Sequence, residues 1–492
     1  MGIIVRQSVS NTIISLVGIV LGFVLTILLF PHILNPDQYG LTRVFISASM
    51  ISSQFAHLGF QNLVMRYFPY FKHADPKQHG FLFWIITIPI TGFLLFCGIY
   101  LLAGDLIIQY YTERSPLFVD YYLWVLPLTF AILYFEVLNN YLRSLRDSVT
   151  GSIVNEVVQR VVTILFLVLF FFGWIDFAAF LMLFVLGYLL QPGVVALRIW
   201  RMQEWKIRPN LDILRKPLVM GMANYSLFSL LGGLTTVIVW NVDILMISSI
   251  LGLEMAAVYS IAFYMVTVVT LPHRSIIKIA TPLLAEFIKK KQWSDVESIY
   301  RKSSLNQIIP GLLIFGLIWI HLDLFYLILP EIYSAGKWVV LIVGVARLMS
   351  MATGLNGVIL LNSRHYKVSF YTNIVLVVFV IGTNYLLIPI YGIEGAALAS
   401  AVSLLVFNSI KYLYVLIRMK MQPFTYSTGF VILLGAVSIY LADVWVDFGI
   451  IWLDILAKTI FFCGLFLIPL LLYNVSPDMN QMLKSFRDKL PI

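Results

Sequence analysis

Residues 9–31 read VSNTIISLVGIVLGFVLTILLFP, an apolar run without a single charged side chain. A helix needs about 20 such residues to cross the hydrocarbon core of a bilayer, so this run predicts a transmembrane helix. It is too long for the core of a signal peptide and lacks a small-residue cleavage site. We therefore expect it to be retained as the first span, and similar runs follow along the rest of the chain.

The composition of the chain places it in a membrane. Its 492 residues are 60% hydrophobic and only 12% charged, with a mean hydropathy of +0.92. A soluble domain carries roughly 25% charged residues, so a soluble enzyme, a disordered chain and a nucleic-acid-binding module are all excluded. The net charge of +9 is better explained by insertion orientation than by a nucleic-acid partner.

Fourteen apolar runs between polar breaks are long enough to span a bilayer. They predict an all-α polytopic membrane protein with about 14 transmembrane helices. The predicted spans are 9–31, 41–64, 81–103, 117–142, 150–172, 177–197, 217–247, 256–285, 304–328, 338–361, 368–388, 393–417, 427–447 and 451–473.

The basic residues between these spans predict the topology. With the N-terminus in the cytoplasm, 25 of the 33 Lys and Arg residues fall in cytoplasmic segments, whereas only Arg114 and Lys337 fall in outer segments. Cytoplasmic loops of membrane proteins carry an excess of Lys and Arg. The pattern therefore predicts that both termini are cytoplasmic.

A weak internal repeat relates the two halves of the chain. Six spans separate the copies, which is an even number, so both halves would have the same orientation and a pseudo-two-fold axis along the membrane normal. The copies are offset by about 217 residues: 33–34 resembles 250–251, 66–78 resembles 281–292, and 175–179 resembles 393–397.

The repeat predicts two six-helix lobes followed by an appended pair of helices. Five segments follow from it: an N-terminal six-helix lobe at 1–197, a cytoplasmic linker between the lobes at 198–216, a C-terminal six-helix lobe at 217–420, an additional transmembrane hairpin at 421–475 and a cytoplasmic tail at 476–492.

Motifs for metal, nucleotide or nucleophilic chemistry are absent from the sequence. It contains no HExxH, CxxC, GxxxxGK[ST], GxGxxG or GxSxG. We expect no catalytic residue, no metal and no cofactor, and an ATP-driven pump would need its ATPase on another subunit. The short outer loops also argue against a membrane glycosyltransferase, so we expect a protein that is not an enzyme.

Several cations lie within the predicted spans, where an ionisable group costs on the order of 2.5–3.5 kcal/mol. Arg43 lies in span two, Arg274 and Lys278 share one face of span eight, and Arg347 lies deep in span ten. The repeat aligns His57 with Arg274. The pattern predicts a cationic cavity between the lobes that binds an anionic head group, and the alternative is that these residues snorkel or pair with acidic residues.

Three acidic residues within spans leave two interpretations open. Glu136 and Glu156 lie towards the cytoplasmic ends of spans four and five, near Arg143 and Arg160. Ion pairing with these arginines is the favoured interpretation, and ion coupling is the other. Asp243, near the outer end of span seven, could bind a cation or cap a helix.

The order of four loose motifs resembles a known family. They are Leu34-Asn35-Pro36-Asp37-Gln38-Tyr39-Gly40, Gly59 followed by Arg66-Tyr67, Asp243-Ile244-Leu245-Met246-Ile247 before Leu251-Gly252, and Pro389-Ile390-Tyr391-Gly392-Ile393-Glu394-Gly395-Ala396-Ala397. From about residue 5 to residue 475 the chain resembles the Wzx-type polysaccharide flippases of the MOP superfamily. That superfamily also contains the MATE multidrug exporters and the lipid II flippases.

The resemblance implies two lobes around a central cavity and transport by alternating access. The implied substrate is a polyprenyl-diphosphate-linked oligosaccharide, moved from the cytoplasmic to the outer leaflet of the bacterial inner membrane for O-antigen, capsule or exopolysaccharide synthesis. Membrane lipids and this lipid-linked anionic glycan are the implied partners, with polysaccharide polymerases and glycosyltransferases as candidates.

Three other functions remain to be weighed. A lipid II flippase is hardly separated from the first interpretation by the sequence. A MATE-like exporter of organic cations should line its cavity with acids, whereas the charged residues within these spans are mostly basic. A membrane glycosyltransferase is the remaining, enzymatic alternative.

Overall fold

The computed structural model describes residues 3–74, 80–205, 207, 216–445 and 449–476. This part of the chain consists of helices and the segments that connect them. Twelve of the helices are long and apolar enough to cross a bilayer. The chain is therefore an all-helical, multi-pass membrane protein.

The residue contacts divide the chain into two compact units, Met1–Ser260 and Ile261–Ile492, here the N-terminal and the C-terminal unit. The longer helices of the N-terminal unit are α1 (Ile3–Phe23, continued to Ile33), α2 (Pro36–Ala56), α3 (Phe60–Ala74), α4 (Phe81–Leu102), α5 (Val125–Ser144), α6 (Gln159–Phe171), α7 (Phe177–Arg201) and α8 (Lys216–Ile250). Its shorter helices are Gly104–Tyr111, Pro116–Tyr121 and Val149–Ile153.

The C-terminal unit begins within helix α9 (Leu253–Thr267). Its further helices are α10 (Leu271–Lys289), α11 (Trp293–Ile320), the short helix Leu322–Ile328, α12 (Lys337–Ala352), α13 (Asn356–Asn362), α14 (Tyr366–Tyr414), α15 (Tyr426–Trp445) and α16 (Ile451–Leu472).

This division differs from the lobes that the repeat predicts. The predicted linker at 198–216, most of which lies outside the described residues, does not coincide with the boundary at Ser260–Ile261. The reason is that α8 packs against α2 and α3 and so belongs to the N-terminal unit by its contacts. The lobes at 1–197 and 217–420 stay a prediction about the repeat, and the predicted tail at 476–492 lies outside the described residues except for Ser476.

The predicted span at 41–64 is interrupted. Helix α2 ends at Ala56, because Leu58 and Gly59 have left-handed backbone angles with φ of 51° and 77°, and α3 begins at Phe60. The side chain of His57 stabilises the break, since its Nδ1 accepts a hydrogen bond from the Gly59 amide at 2.9 Å. Neither half is among the twelve apolar helices.

Helix α14 contains a second break. Its 49 residues would extend about 74 Å if straight, more than twice the roughly 30 Å of a hydrocarbon core. The backbone at Gly392 leaves the helical region with φ 62° and ψ −138°, a combination that requires glycine. The two halves correspond to the predicted spans 368–388 and 393–417, so this kink and the interruption at His57 account for fourteen predicted spans against twelve helices.

The Asn35–Gly40 motif begins helix α2. The Asn35 side chain accepts a hydrogen bond from the Gln38 amide at 2.8 Å, and the Gln38 side chain accepts one from the Asn35 amide at 3.2 Å. This reciprocal capping box, with Pro36 in the first turn, satisfies two amides that a helix N-terminus leaves unpaired. The motif is therefore explained by local helix chemistry.

Gly40 in this motif allows α2 to approach the start of α9, because a Cβ atom at residue 40 would run into the carbonyl oxygen of Leu253. We expect Gly40→Ala to lower the free energy of unfolding by about 1–3 kcal/mol through overpacking. The thermal midpoint of the detergent-purified protein measures this. Gly98→Ala is the matched control, since no described atom lies within 4 Å of a Cβ there; equal midpoints for the two variants would contradict the prediction.

Candidate functional site

The C-terminal unit brings two of the predicted cations together around one histidine. His273, in the first turn of α10, lies within electrostatic range of Arg274 beside it and of Arg347 on α12. The Nδ1 atom of His273 donates a hydrogen bond to Oε1 of Gln307 on α11, with a distance of 2.7 Å. Three helices thus converge on a cluster of one histidine, two arginines and one glutamine.

Gln307 is the least expected member of this cluster. It has no solvent exposure, and its Nε2 atom has no hydrogen-bond partner among the described residues. A buried amide donor without an acceptor costs about 1–3 kcal/mol. Guanidinium and amide groups are hydrogen-bond donors to anions, so the cluster has the chemistry of an anion-binding site.

Arg347 is half-buried, and its guanidinium carbon lies 5.5 Å from the ring centroid of Phe263. The aromatic face stabilises a cation in these apolar surroundings. Lys278 is exposed one helical turn after Arg274, so the two side chains share a face of α10. The helix positions therefore add a third cation to the same side of the unit.

Arg43 lies in the N-terminal unit. Its guanidinium carbon is 5.8 Å from the ring centroid of Tyr39, one turn earlier on α2. The positive charges of Arg43 and Arg160 both influence the hydroxyl group of Tyr188 on α7. These neighbours are aromatic or cationic. The described structure thus brings Arg274 and Arg347 together within one unit, and it places Arg43 in a separate cationic region of the other.

His57 does not contribute a cation in this geometry. Since its Nδ1 accepts a hydrogen bond from the Gly59 amide, its Nε2 carries the ring proton, which it donates to Oε1 of Gln54 at 3.0 Å. The imidazole is therefore neutral, and it is almost fully buried. The alignment of His57 with Arg274 consequently matches a structural histidine with a cation.

Glu156 forms an ion pair with Arg160 one turn later, with 2.9 Å between Oε2 and Nη2. The pair lies against Gly18 of α1, where a Cβ atom would come within 2.7 Å of Oε2 of Glu156. A glycine in span one thus makes room for the charged pair.

Glu136 has different surroundings from Glu156. Its Oε2 atom is shielded from solvent and has no hydrogen-bond partner among the described residues, and no ion pair of Glu136 with Arg143 is formed there. An ionised carboxylate in this state is expensive at bilayer depth. Of the two predicted acids Glu136 and Glu156, Glu136 is thus the one for which the described residues provide no ion pair.

Asp243 accepts a hydrogen bond from the Tyr259 hydroxyl, with 2.7 Å between Oδ2 and the phenol oxygen, and both residues are buried. It lies inside α8 rather than at a helix start. One of the two sequence interpretations was that Asp243 caps a helix, and this position inside α8 does not agree with it. Its bond joins α8 to α9.

A groove of about 680 Å³ lies among four helices of the C-terminal unit. Most of its lining residues are apolar, and those of α11, α14 and α15 recur at intervals of three and four, as on one face of a helix. Among the residues that line the groove are Ile308, Leu312, Phe315 and Trp319 of α11, Leu341 and Val345 of α12, Ala401, Leu405 and Tyr412 of α14, and Ile432, Ala436, Ile439 and Asp443 of α15, with Phe424 just before α15.

Sequence reasoning missed both Gln307 and this groove. Gln307 is a neutral residue in a predicted span, and it is 34 residues from His273 in the sequence, so neither charge nor spacing indicates their contact. The groove-lining positions read as ordinary apolar helix faces, because lipid, protein and ligand all select the same residue types there. Only the packing of α11, α12, α14 and α15 identifies the shared surface.

Comparisons with solved structures show the fold. The structure matches that of "Lipid II flippase MurJ, inward closed conformation" with a TM-score of 0.68 at 12% identity, over 93% of this chain and 98% of that chain. It matches a MATE family multidrug resistance transporter of the MOP superfamily in its inward-facing form (TM-score 0.60, 15% identity, 85% and 98% covered). The outward-facing form of such a transporter matches with a TM-score of 0.54 at 14% identity, over 85% and 95% of the two chains.

A comparison of the sequence with protein-family models identifies the family of the chain. No curated protein sequence matches the chain significantly. The model described as "Polysaccharide biosynthesis protein" matches residues 4–288, which is more than half of the chain. The chain therefore belongs to the polysaccharide biosynthesis protein family and has the fold of the MOP superfamily transporters.

Proposed function

We propose that the protein is a flippase that moves a polyprenyl-diphosphate-linked oligosaccharide from the cytoplasmic to the outer leaflet, for the synthesis of a cell-surface polysaccharide. The observation that carries the proposal is the presence, in one unit, of a cationic cluster and an apolar groove. These two features complement the two parts of a lipid-linked diphosphate. The family and the flippase among the matched structures support the same class of substrate.

The cationic cluster is suited to the diphosphate. A diphosphate cannot enter about 30 Å of hydrocarbon without replacement of its hydration. Arg274 and Arg347 can each form paired hydrogen bonds to phosphate oxygens, and the unpaired Nε2 of Gln307 offers one more donor. Lys278 and, from the N-terminal unit, Arg43 are proposed as further cations along the path of the head group.

The apolar groove is suited to the prenyl tail. It is lined along one face of α15 by Ile432, Ala436 and Ile439, and its other walls are the apolar faces of three further helices. A prenyl tail would enter this groove from lipid rather than from water, so close packing against the groove, and not the hydrophobic effect, would hold it there. The matches to inward-facing and outward-facing structures support transport by alternating access.

Filling the groove should block transport. We expect Ala436→Phe to reduce the flipping rate at least tenfold in reconstituted vesicles, because the added ring occupies the proposed path of the tail. Val437→Phe is the matched control, since Val437 is the next residue on α15, is exposed and does not line the groove. Equal rates for the two variants would remove the groove from the mechanism.

The proposal itself is tested in a strain that lacks the gene. The polyprenyl-linked lipids are extracted and analysed by mass spectrometry, and we expect a diphosphate-linked oligosaccharide to accumulate and to disappear when a plasmid copy is supplied. The mass identifies the glycan, and a lipid II mass would favour a lipid II flippase. An unchanged lipid profile together with new sensitivity to cationic drugs would contradict the proposal in favour of an exporter.

A further inference from the structure

The turn that precedes α14 contacts the far end of the same helix through His365. The Nδ1 atom of His365 lies 2.8 Å from the hydroxyl oxygen of Tyr414, and the two rings pack edge to face with 5.4 Å between centroids. The two residues are 49 positions apart in the sequence. The predicted topology puts both segments at the cytoplasmic surface of the membrane.

Two arginines converge on this histidine. The Nε atom of Arg364 donates a hydrogen bond to Nε2 of His365 at 3.2 Å, and the positive charges of Arg364 and Arg418 both influence the imidazole ring. Arg418 lies one turn after Tyr414, in the segment Val415–Met419 that continues α14. Two guanidinium groups that are distant in the sequence thus lie within electrostatic range of one side chain.

No acidic side chain of the same segments balances these two charges. The sequence contains no Asp or Glu between Glu331 and Glu394, or between Glu394 and Asp443. Among the described residues, neither Arg364 nor Arg418 forms an ion pair with a carboxylate. The junction therefore carries two cations without a counter-charge from the described part of the chain, and a bound anion reduces the repulsion between them.

The hydrogen bonds leave the Tyr414 hydroxyl free to donate. A guanidinium group can only donate, so Nε2 of His365 accepts from Arg364 and the ring proton is on Nδ1. This proton is donated to the oxygen of Tyr414, whose own O–H has no acceptor among the described residues. Burial and the two arginines lower the pKa of His365, which keeps the ring neutral near pH 7.

The free donors suit one class of ligand. Two guanidinium groups and a phenol hydroxyl offer N–H and O–H groups to the same junction, a set that selects an anion with several acceptor oxygens. Guanidinium groups form paired hydrogen bonds to phosphate. The side chains of Arg364 and Arg418 are exposed, so a phosphate group has access to both.

Exposed apolar side chains beside this junction favour a lipid as the source of the phosphate. Leu413 and Ile417 are exposed and directly precede Tyr414 and Arg418 in the chain. They lie one helical turn apart, so they share a face at the end of α14. A free phosphate ion gains nothing from such a face, whereas acyl chains pack against it. Anionic lipids of the cytoplasmic leaflet are also the anions that basic residues at this depth meet.

We propose that Arg364, Arg418 and Tyr414 bind the phosphate head group of an anionic phospholipid of the cytoplasmic leaflet. The bound lipid joins the turn before α14 to the cytoplasmic end of that helix. The site is separate from the Arg274–Arg347 cluster, and it goes beyond the proposed function because it does not depend on which molecule the protein transports.

Binding of defined lipids to the purified full-length protein tests the proposal. Phosphatidylglycerol, which is anionic, and phosphatidylcholine, which carries a compensating cation, are titrated separately and detected by native mass spectrometry. We expect phosphatidylglycerol to bind at least about tenfold more tightly, because the choline cation opposes the two arginines. The double variant Arg364→Ala, Arg418→Ala should lose this preference.

Two further variants sharpen the test. Tyr414→Phe keeps the ring packing but removes the hydroxyl, and should weaken phosphatidylglycerol binding about threefold. Arg301→Ala is the matched control, because Arg301 is an exposed arginine of the same unit that is already paired with Glu297, with 2.6 Å between the charged atoms. It should leave phosphatidylglycerol binding unchanged.

The outcomes separate a lipid site from its alternatives. Unchanged phosphatidylglycerol binding in the double alanine variant, or an equal loss in Arg301→Ala, would overturn the proposal. Displacement of phosphatidylglycerol by equimolar inorganic phosphate would also overturn it, in favour of a site for free phosphate. If the double alanine variant does not fold, the double lysine variant of Arg364 and Arg418 replaces it, with an expected loss of about threefold because lysine lacks the paired N–H groups.

Discussion

Simultaneous replacement of Arg274 and Arg347 with alanine is expected to abolish transport. A hydrogen bond to a charged group contributes about 1.5–3 kcal/mol, so the loss of two arginines from a diphosphate should reduce the flipping rate at least about a hundredfold. The rate is measured with a lipid-linked oligosaccharide in reconstituted vesicles. In cells, the same variant should accumulate this lipid as the deletion strain does.

Two controls separate charge from folding in this experiment. Lys289→Ala removes an exposed cation from the same helix, α10, and should leave the rate unchanged. The double replacement with lysine retains the charge but not the planar fork, and partial activity is expected. A fully active double alanine variant that inserts normally into the membrane would eliminate the cationic cluster as the head-group site.

Glu136→Gln is expected to uncouple transport from an ion gradient. The Oε2 atom of Glu136 is buried without a partner among the described residues, and we propose that a proton or a cation matches its negative charge during the cycle. Glutamine has the same shape but cannot take up a proton. We expect flipping driven by a proton or sodium gradient to fall at least tenfold, with equilibration in the absence of a gradient retained.

The ion-paired acid of the same unit provides the comparison. Glu156→Gln removes the partner of Arg160 and should lower the thermal midpoint, because one half-buried charge loses its counter-charge, while gradient dependence is retained. Vesicles with an imposed gradient of each ion measure the coupling. Retained gradient dependence in Glu136→Gln would remove Glu136 from ion coupling and leave it as a packing residue.

Local chemistry made part of the structure predictable. The apolar runs predicted membrane-spanning helices because a bilayer offers backbone groups no hydrogen-bond partners, which leaves helices as the stable solution. At the start of α7, for example, the Asp176 side chain caps the helix by accepting a hydrogen bond from the Ala179 amide at 2.8 Å. Such features depend on neighbours along the chain.

The interruption of span two was harder to predict than the kink at Gly392, which falls between two predicted spans. The interruption of span two depends on the bond between the His57 ring and the Gly59 amide, and hydropathy does not register a single pair of residues. The packing of α8 within the N-terminal unit likewise follows from contacts with α2 and α3. A sequence repeat shows which segments of the chain are similar to each other, whereas contacts between side chains decide which helices pack together.

The sequence by itself determined the membrane setting, the helical class and the predominance of cations among the charged residues of the spans, because these follow from composition and from spacing along a helix. Only the tertiary structure decided that Arg274, Arg347 and Gln307 share one cluster, and that a groove runs beside α15. It also decided that Glu156 has an ion pair while Oε2 of Glu136 has no partner among the described residues. The physical reason is that each of these features joins residues from different helices. The rotation of one helix against another, which sets those contacts, is fixed by close packing of side chains distant in sequence.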